Sequence, residues 1–313
     1  MPGREHPLMP RTAAPARLAA PRSRIRALLA RWLPALAAAP LAAAFLPASG
    51  SAAAGPAYVA LGDSYTSGAL IPDQTGQPPG CLRSDRNYPS LTAAAIAAAP
   101  FTDVSCGGAT TADMTSPQVT LAGTNPPELD ALASGTSLVT LQIGGNDIGF
   151  IDIVIRCASL SLASPFGSPC KHSYTAGGTD QLAQAISQTA PRVAAVLQAI
   201  RQRSPQARVL VVGYPVILPG TGHGCWPTAP IAYGDVPYLR GVEKELNQML
   251  ATEAAANGAG FVDTYTPSIG HDVCRPEGVR WMEGLVPASP AAPMHPNELG
   301  EQAMARAVTA AVG

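Results

Sequence analysis

The sequence predicts an α/β fold built on a parallel sheet of five strands. Three observations predict it: five short apolar runs, helical stretches alternating with them, and glycine-marked polar turns near the ends of three runs. Alternating strand and helix signals are the pattern of helices packed on a mostly parallel sheet. The runs are Ala57–Leu61, Thr102–Ser105, Leu138–Ile143, Arg208–Val212 and Gly260–Val262. Helices are predicted over Tyr88–Ala98, Asp180–Arg203, Pro237–Asn257 and Asn297–Val312. In Asp180–Arg203, apolar residues recur at positions 182, 186, 193, 196, 197 and 200, close to the helical period of about 3.6. Pro191 predicts a kink or a break inside that stretch, and Ser204-Pro205 closes it. Two connections, Thr66 to Asn87 and Gly149 to Gly178, are longer than ordinary strand-to-helix loops. Both start just beyond a candidate site residue and both carry cysteines, so they are expected to build a pocket; the alternative is surface elaboration.

The 313 residues divide unevenly. Residues 1–54 hold seven arginines against one acid, Glu5, then an Ala/Leu/Pro run from Trp32 to Leu46 and small residues at Ala48, Ser49, Ser51, Ala52 and Ala54. A basic segment, a short apolar segment and an Ala-x-Ala site describe an export leader, so secretion is expected. A disordered tail or a single membrane anchor is the alternative. The apolar run, interrupted by Pro34 and Pro40, is shorter than the ~20 residues that span a bilayer, and no stable anchor is expected. Residues 55–313 read as one domain carrying 13 Lys+Arg against 20 Asp+Glu, a formal charge of −7. That balance argues against nucleic acid and against docking on anionic membranes by charge. There is no internal repeat, and a monomer is expected.

All six cysteines lie beyond residue 54. An even count behind an export signal implies disulfides. Fifteen pairings of six cysteines exist; sequence proximity favours Cys81–Cys106, Cys157–Cys170 and Cys225–Cys274. The competing reading is a zinc site of His223, Cys225, His271 and Cys274. The His-x-Cys spacing suits tetrahedral ligation poorly, so no metal and no cofactor are expected.

The chemistry-bearing residues sit where the runs stop. Gly62-Asp63-Ser64-Tyr65 follows the first, at the carboxyl edge where open α/β sheets bind ligands. Ser64 is a candidate nucleophile, against the commoner role of a helix N-cap; Ser67 is a weaker competitor. The pattern is not the Gly-x-Ser-x-Gly elbow. Cys106-Gly107-Gly108-Ala109 follows the second run, and Gly108 can present a backbone N–H. Gly144-Gly145-Asn146-Asp147 follows the third, and the Asn146 amide can donate to an oxyanion without competing basicity. Of the five histidines, His295 lies in a loop ahead of the last helix and is the candidate base. Asp63 is read as bracing its turn and Asp147 as supporting the site, neither as a reacting group.

Together these residues resemble the four motif blocks of the GDSL, or SGNH, hydrolases, in family order and over nearly all of residues 55–313. With the export signal and six cysteines, the chain looks most like the secreted actinobacterial GDSL lipases and esterases. The resemblance implies a three-layer α/β/α, flavodoxin-like fold. It implies Ser64 as nucleophile, His295 as base, and Ser64 N–H, Gly108 N–H and Asn146 as oxyanion donors. One position departs from the family, which commonly has Asp three residues before the histidine; here it is Ala292. A Ser64–His295 dyad is therefore expected, its imidazole oriented by a backbone carbonyl of Ala292 or a neighbour, with a remote acid such as Asp272 as the alternative. The implied activity is hydrolysis of carboxylic esters, with lipid esters favoured. Phospholipid and carbohydrate acetyl esters, a peptidase, and a non-catalytic binding module are the rivals. Leu70, Ile71, Pro72, Phe150, Ile151 and Ile153 line an acyl groove or are simply core.

Overall fold

The computed structural model describes residues 55–78 and 80–313; the predicted leader lies outside them. In chain order the elements are β1 (Tyr58–Gly62), α1 (Ser64–Ser67), α2 (Tyr88–Ala95), β2 (Phe101–Asp103), the hairpin β3 (Gln118–Thr120) and β4 (Gly123–Asn125), and a 3-10 turn (Glu128–Ala131). They continue with β5 (Leu138–Gln142), α3 (Phe150–Ala163), α4 (Pro169–Thr175), α5 (Gln181–Arg203), β6 (Arg208–Val212), α6 (Val236–Ala256), β7 (Gly260–Val262), α7 (Tyr265–Ser268) and α8 (Glu298–Val312). The main sheet has five parallel strands in the order β2-β1-β5-β6-β7. The chain steps outward from β1 to β2, then crosses back to β5, so the winding reverses between β1 and β5. Such a reversal opens a crevice at the carboxyl ends of the strands. Gly62 pairs with Gln142, so β1 and β5 end level and release Ser64 and Asn146 at one edge.

Strand side chains alternate between two apolar layers. Val59, Leu61, Val139, Leu141, Val209 and Val211 pack with Ile153, Ile186, Val193, Leu197, Leu246 and Leu250 from α3, α5 and α6. Tyr58, Ala60, Leu138, Leu210 and Val212 face Tyr88, Ala93, Met304 and Val308 from α2 and α8. Full burial of one such Leu or Val stabilises by ~1.5–3 kcal/mol, and the neighbouring inner strands β1 and β5 are buried along their whole length.

Two expectations change. α5 runs unbroken through Pro191. Its buried face on both sides of the proline, Leu182 and Ile186 before it and Val193, Val196, Leu197 and Ile200 after it, packs into one core, so the helix does not end at the proline. The connection from Gly149 to Gly178, read as a loop, contains α3 and α4. Its apolar residues are too continuous to show a clean period in sequence, yet Ile153, Val154, Cys157 and Ala158 form a buried face. The disulfides are Cys81–Cys106, Cys157–Cys170 and Cys225–Cys274. Each closes a loop whose cross-link contributes roughly 3–4 kcal/mol on the chain-entropy account. The last bond removes both thiolates from the alternative zinc set.

Candidate active site

The turn after β1 can be built only with glycine. Gly62 has φ +148, and a Cβ there would lie 2.3 Å from Thr66 Oγ1 and 2.5 Å from the Gln142 carbonyl. Its N–H donates to Glu128 Oε2 at 2.7 Å, and its carbonyl accepts the Cys106 N–H at 2.8 Å. Asp63 caps α1, its Oδ1 accepting the Tyr65 N–H at 2.9 Å. Ser64 is thereby the first residue of a helix whose leading N–H groups have no partner within the helix.

The His295 ring reaches this turn from the other end of the chain. Its Nε2 lies 2.7 Å from Ser64 Oγ, and its Nδ1 lies 2.7 Å from the Pro293 carbonyl. A carbonyl can only accept, so Nδ1 carries the proton and Nε2 is left to accept the Ser64 O–H. This is the geometry that a general base requires. The orienting carbonyl is Pro293's, which corrects the choice of Ala292. The Ala292 carbonyl accepts the His295 N–H at 3.2 Å, closing a tight turn. Met294 holds φ +62 inside that turn, and its carbonyl accepts the Tyr65 hydroxyl at 2.7 Å. Asp272, the alternative acid, instead accepts the Cys274 N–H at 3.0 Å and pairs with Arg275 at 3.3 Å.

Aromatic rings enclose the imidazole: Tyr65 at 4.6 Å and Phe150 at 5.9 Å between centroids. Burial in this shell pushes the His295 imidazole from the ordinary 6.5 down to about 4, opposed by the Pro293 hydrogen bond. A base must be unprotonated to act, so kcat/KM should hold from neutrality down to about pH 5 and fall as the ring protonates, with a midpoint near 4. A kcat/KM profile of a soluble aryl ester reads this directly; a midpoint at 6.5 or above would show an imidazole open to water.

Asn146 and Gly108 converge on the same edge. Asn146 Nδ2 donates one hydrogen to the Ala109 carbonyl at 2.9 Å, which orients the amide and leaves its second hydrogen for a ligand. Gly108, exposed with φ +79, stands between Ala109 and Cys106, whose N–H binds Gly62. The Cys81–Cys106 bond and the Gly107 N–H to the Cys81 carbonyl, 2.9 Å, hold that loop. Asp147 accepts Thr111 N–H and Oγ1–H at 3.0 and 2.5 Å, with Arg192 at 3.8 Å. An apolar cavity opens from Ser64, Asn146 and Met294 between α3 and α6, walled by Ile148, Phe150, Ile153, Leu218, Val242 and Leu246. Phe150 and Ile153 of the expected groove line it, whereas Leu70 and Ile151 are exposed and Ile71 is core.

Residues 60–303 match the GDSL-like lipase/acylhydrolase family model. The chain belongs to that family. This GDSL hydrolase is 42% identical to Lipase 2 of Streptomyces coelicolor over 251 residues, 79% of this chain and 83% of the relative. It is 34% identical to Lipase 1 of the same organism over 80% of this chain and 84% of the relative. Among solved structures it resembles phospholipase A1 from Streptomyces albidoflavus NA297 with TM-score 0.68 and 29% identity, covering 82% of this chain and 99% of the other. The extracellular lipase from Streptomyces rimosus follows with TM-score 0.64 and 27% identity over the same shares. The GDSL hydrolase is a carboxylic ester hydrolase, and its sheet is that of the SGNH fold.

Three polar residues of the hydrolase escaped the sequence reading. Glu128 supports Gly62 from 66 positions away, with no local pattern to announce it. Tyr65 stood beside Ser64 and was passed over. Tyr214 had a usable signal, since it follows β6 after Gly213 just as the other site residues follow their strands. Its hydroxyl accepts the Gly145 N–H at 2.9 Å and donates to Asp63 Oδ2 at 2.5 Å, joining the Ser64 turn to the Asn146 turn. Burial raises the Asp63 carboxyl to about 7 despite the Tyr214 and Tyr65 donors. Tyr214→Phe leaves the buried Gly145 N–H unpaired and removes a donor from Asp63, a cost of about 1–3 kcal/mol for the orphaned group. The variant should lose kcat roughly tenfold at nearly constant KM, since the change of about 1.4 kcal/mol falls on positioning. An unaltered kcat would mean that the two turns are held independently.

Proposed function

We propose that this hydrolase is a secreted lipase or esterase that cleaves carboxylic esters of lipids through a Ser64–His295 dyad and an acyl-enzyme. One observation carries the reading: a serine hydroxyl 2.7 Å from an imidazole Nε2 whose other nitrogen is bound to a carbonyl at 2.7 Å. Ser64 attacks the ester carbonyl while His295 takes its proton and later delivers it to the leaving alcohol. The Ser64 and Gly108 N–H groups and the Asn146 amide receive the oxyanion. Water, activated by the same imidazole, releases the acid. The Pro293 carbonyl fixes the tautomer that an aspartate fixes in other triads, but supplies no full negative charge to the imidazolium. Residues 55–313 act as one catalytic domain and as a monomer, with no metal or cofactor.

The apolar cavity favours an acyl chain over the polar surroundings expected for a carbohydrate acetyl esterase. A phospholipid is a second reading, because Asn146 also lines a cleft with Thr110, Thr111, Thr115, Asp147 and Arg192, and the similar Streptomyces albidoflavus structure is a phospholipase A1. The test has two parts. A fluorophosphonate should label Ser64 covalently in the folded protein, and no labelling would refute the dyad. Aryl esters from two to sixteen carbons, with triacylglycerol and phosphatidylcholine in parallel, should show preference for chains longer than acetyl. A strict acetyl preference would transfer the protein to the carbohydrate esterases.

A further inference from the structure

The acyl cavity contains one group that its apolar walls do not explain. Glu243, on α6, lines it among Leu239, Val242 and Leu246. Glu243 Oε1 accepts the Ile217 N–H at 3.0 Å, while Oε2 has no hydrogen-bond partner among the described residues. The residue retains accessible surface because it faces the hollow. The neighbouring Lys244 ammonium lies over the Tyr265 ring at 5.7 Å instead of pairing with it. We propose that Glu243 is a specificity-determining residue that selects acyl chains carrying a hydroxyl at the depth of its carboxyl. The inference rests on the reading above that the acyl chain of the ester enters this cavity from Ser64. Burial raises the Glu243 carboxyl well above the ordinary glutamate value, which favours its protonated form, and in either form Oε2 can bond a hydroxyl. Plain methylenes covering Oε2 would strip its water and return nothing. A chain hydroxyl replaces that water, and sites built to bond a hydroxyl reject the analogue lacking it.

Aryl esters of decanoic acid and of its monohydroxy isomers, the hydroxyl moved along the chain, test this on the purified protein. For one isomer, kcat/KM should exceed that of the plain ester by roughly 10–100-fold. Glu243→Gln should keep that preference within a few-fold, because the amide still accepts from Ile217 and still bonds a hydroxyl. Glu243→Leu should invert it, favouring the plain chain. Equal rates for all isomers in the unaltered protein overturn the proposal without any variant, as does a leucine variant with the original ratio. Fluorophosphonate labelling of Ser64 separates the two levels: unlabelled protein removes the dyad beneath, while labelled protein with equal rates removes only the role of Glu243.

Discussion

Replacing His295 with alanine should leave a folded protein whose kcat has dropped by on the order of 10⁴–10⁶-fold. The ring is the only group hydrogen-bonded to Ser64 Oγ among the described residues. Asp63, though adjacent in sequence, has both carboxylate oxygens engaged, by Tyr65 and by Tyr214. No second base stands ready to take the proton. The remaining rate would come from the hydrogen-bond donors at the site and from binding, which in the serine protease triad are worth about 10³–10⁴ over water. Phosphonate labelling of Ser64 should slow in proportion, since it needs the same proton transfer. Steady-state kinetics beside a thermal melt decide the matter: a loss under tenfold with unchanged stability would mean that the imidazole only fills space.

Asn146→Ala should lower kcat by about 10²–10³-fold with little change in KM, the usual effect of deleting one oxyanion donor. The amide is preset by its bond to the Ala109 carbonyl, 2.9 Å, so it need not reorganise as charge develops on the substrate oxygen. That pre-orientation is why its effect should fall on the transition state and not on substrate affinity. Ala109 loses its partner in the variant, so part of the effect will reach Gly108 through the same loop. A variant with raised KM and intact kcat would instead assign Asn146 to substrate binding.

The strands could be read from sequence because a parallel strand buried on both faces is a near-continuous apolar run. β1, β5, β6 and β7 lie within a residue or two of the runs that announced them. The polar positions after the runs could be read for a related reason. Glycine is needed where a chain leaves a packed strand abruptly, as at Gly62, where any Cβ meets Thr66 and the Gln142 carbonyl. α3 was lost because its apolar residues serve three surroundings at once. Ile153 and Val154 wall the cavity, Cys157 bonds Cys170, and Ile151, Ile155 and Leu162 remain exposed, so no single period dominates.

By itself the sequence determined the α/β class and most of the strands that frame the site, since these follow from local pattern, and the resemblance of its motif blocks to the GDSL hydrolases pointed to Ser64 and His295, which meet there. Only the tertiary structure decided which carbonyl holds the imidazole, that Tyr214 ties two turns together, and that the Glu243 carboxyl lines the apolar cavity beside Ser64. Those facts depend on φ at Met294 and on contacts between segments far apart in the chain. A backbone turn of one residue, or the packing of one helix against another, sets them without leaving a mark in the neighbouring sequence.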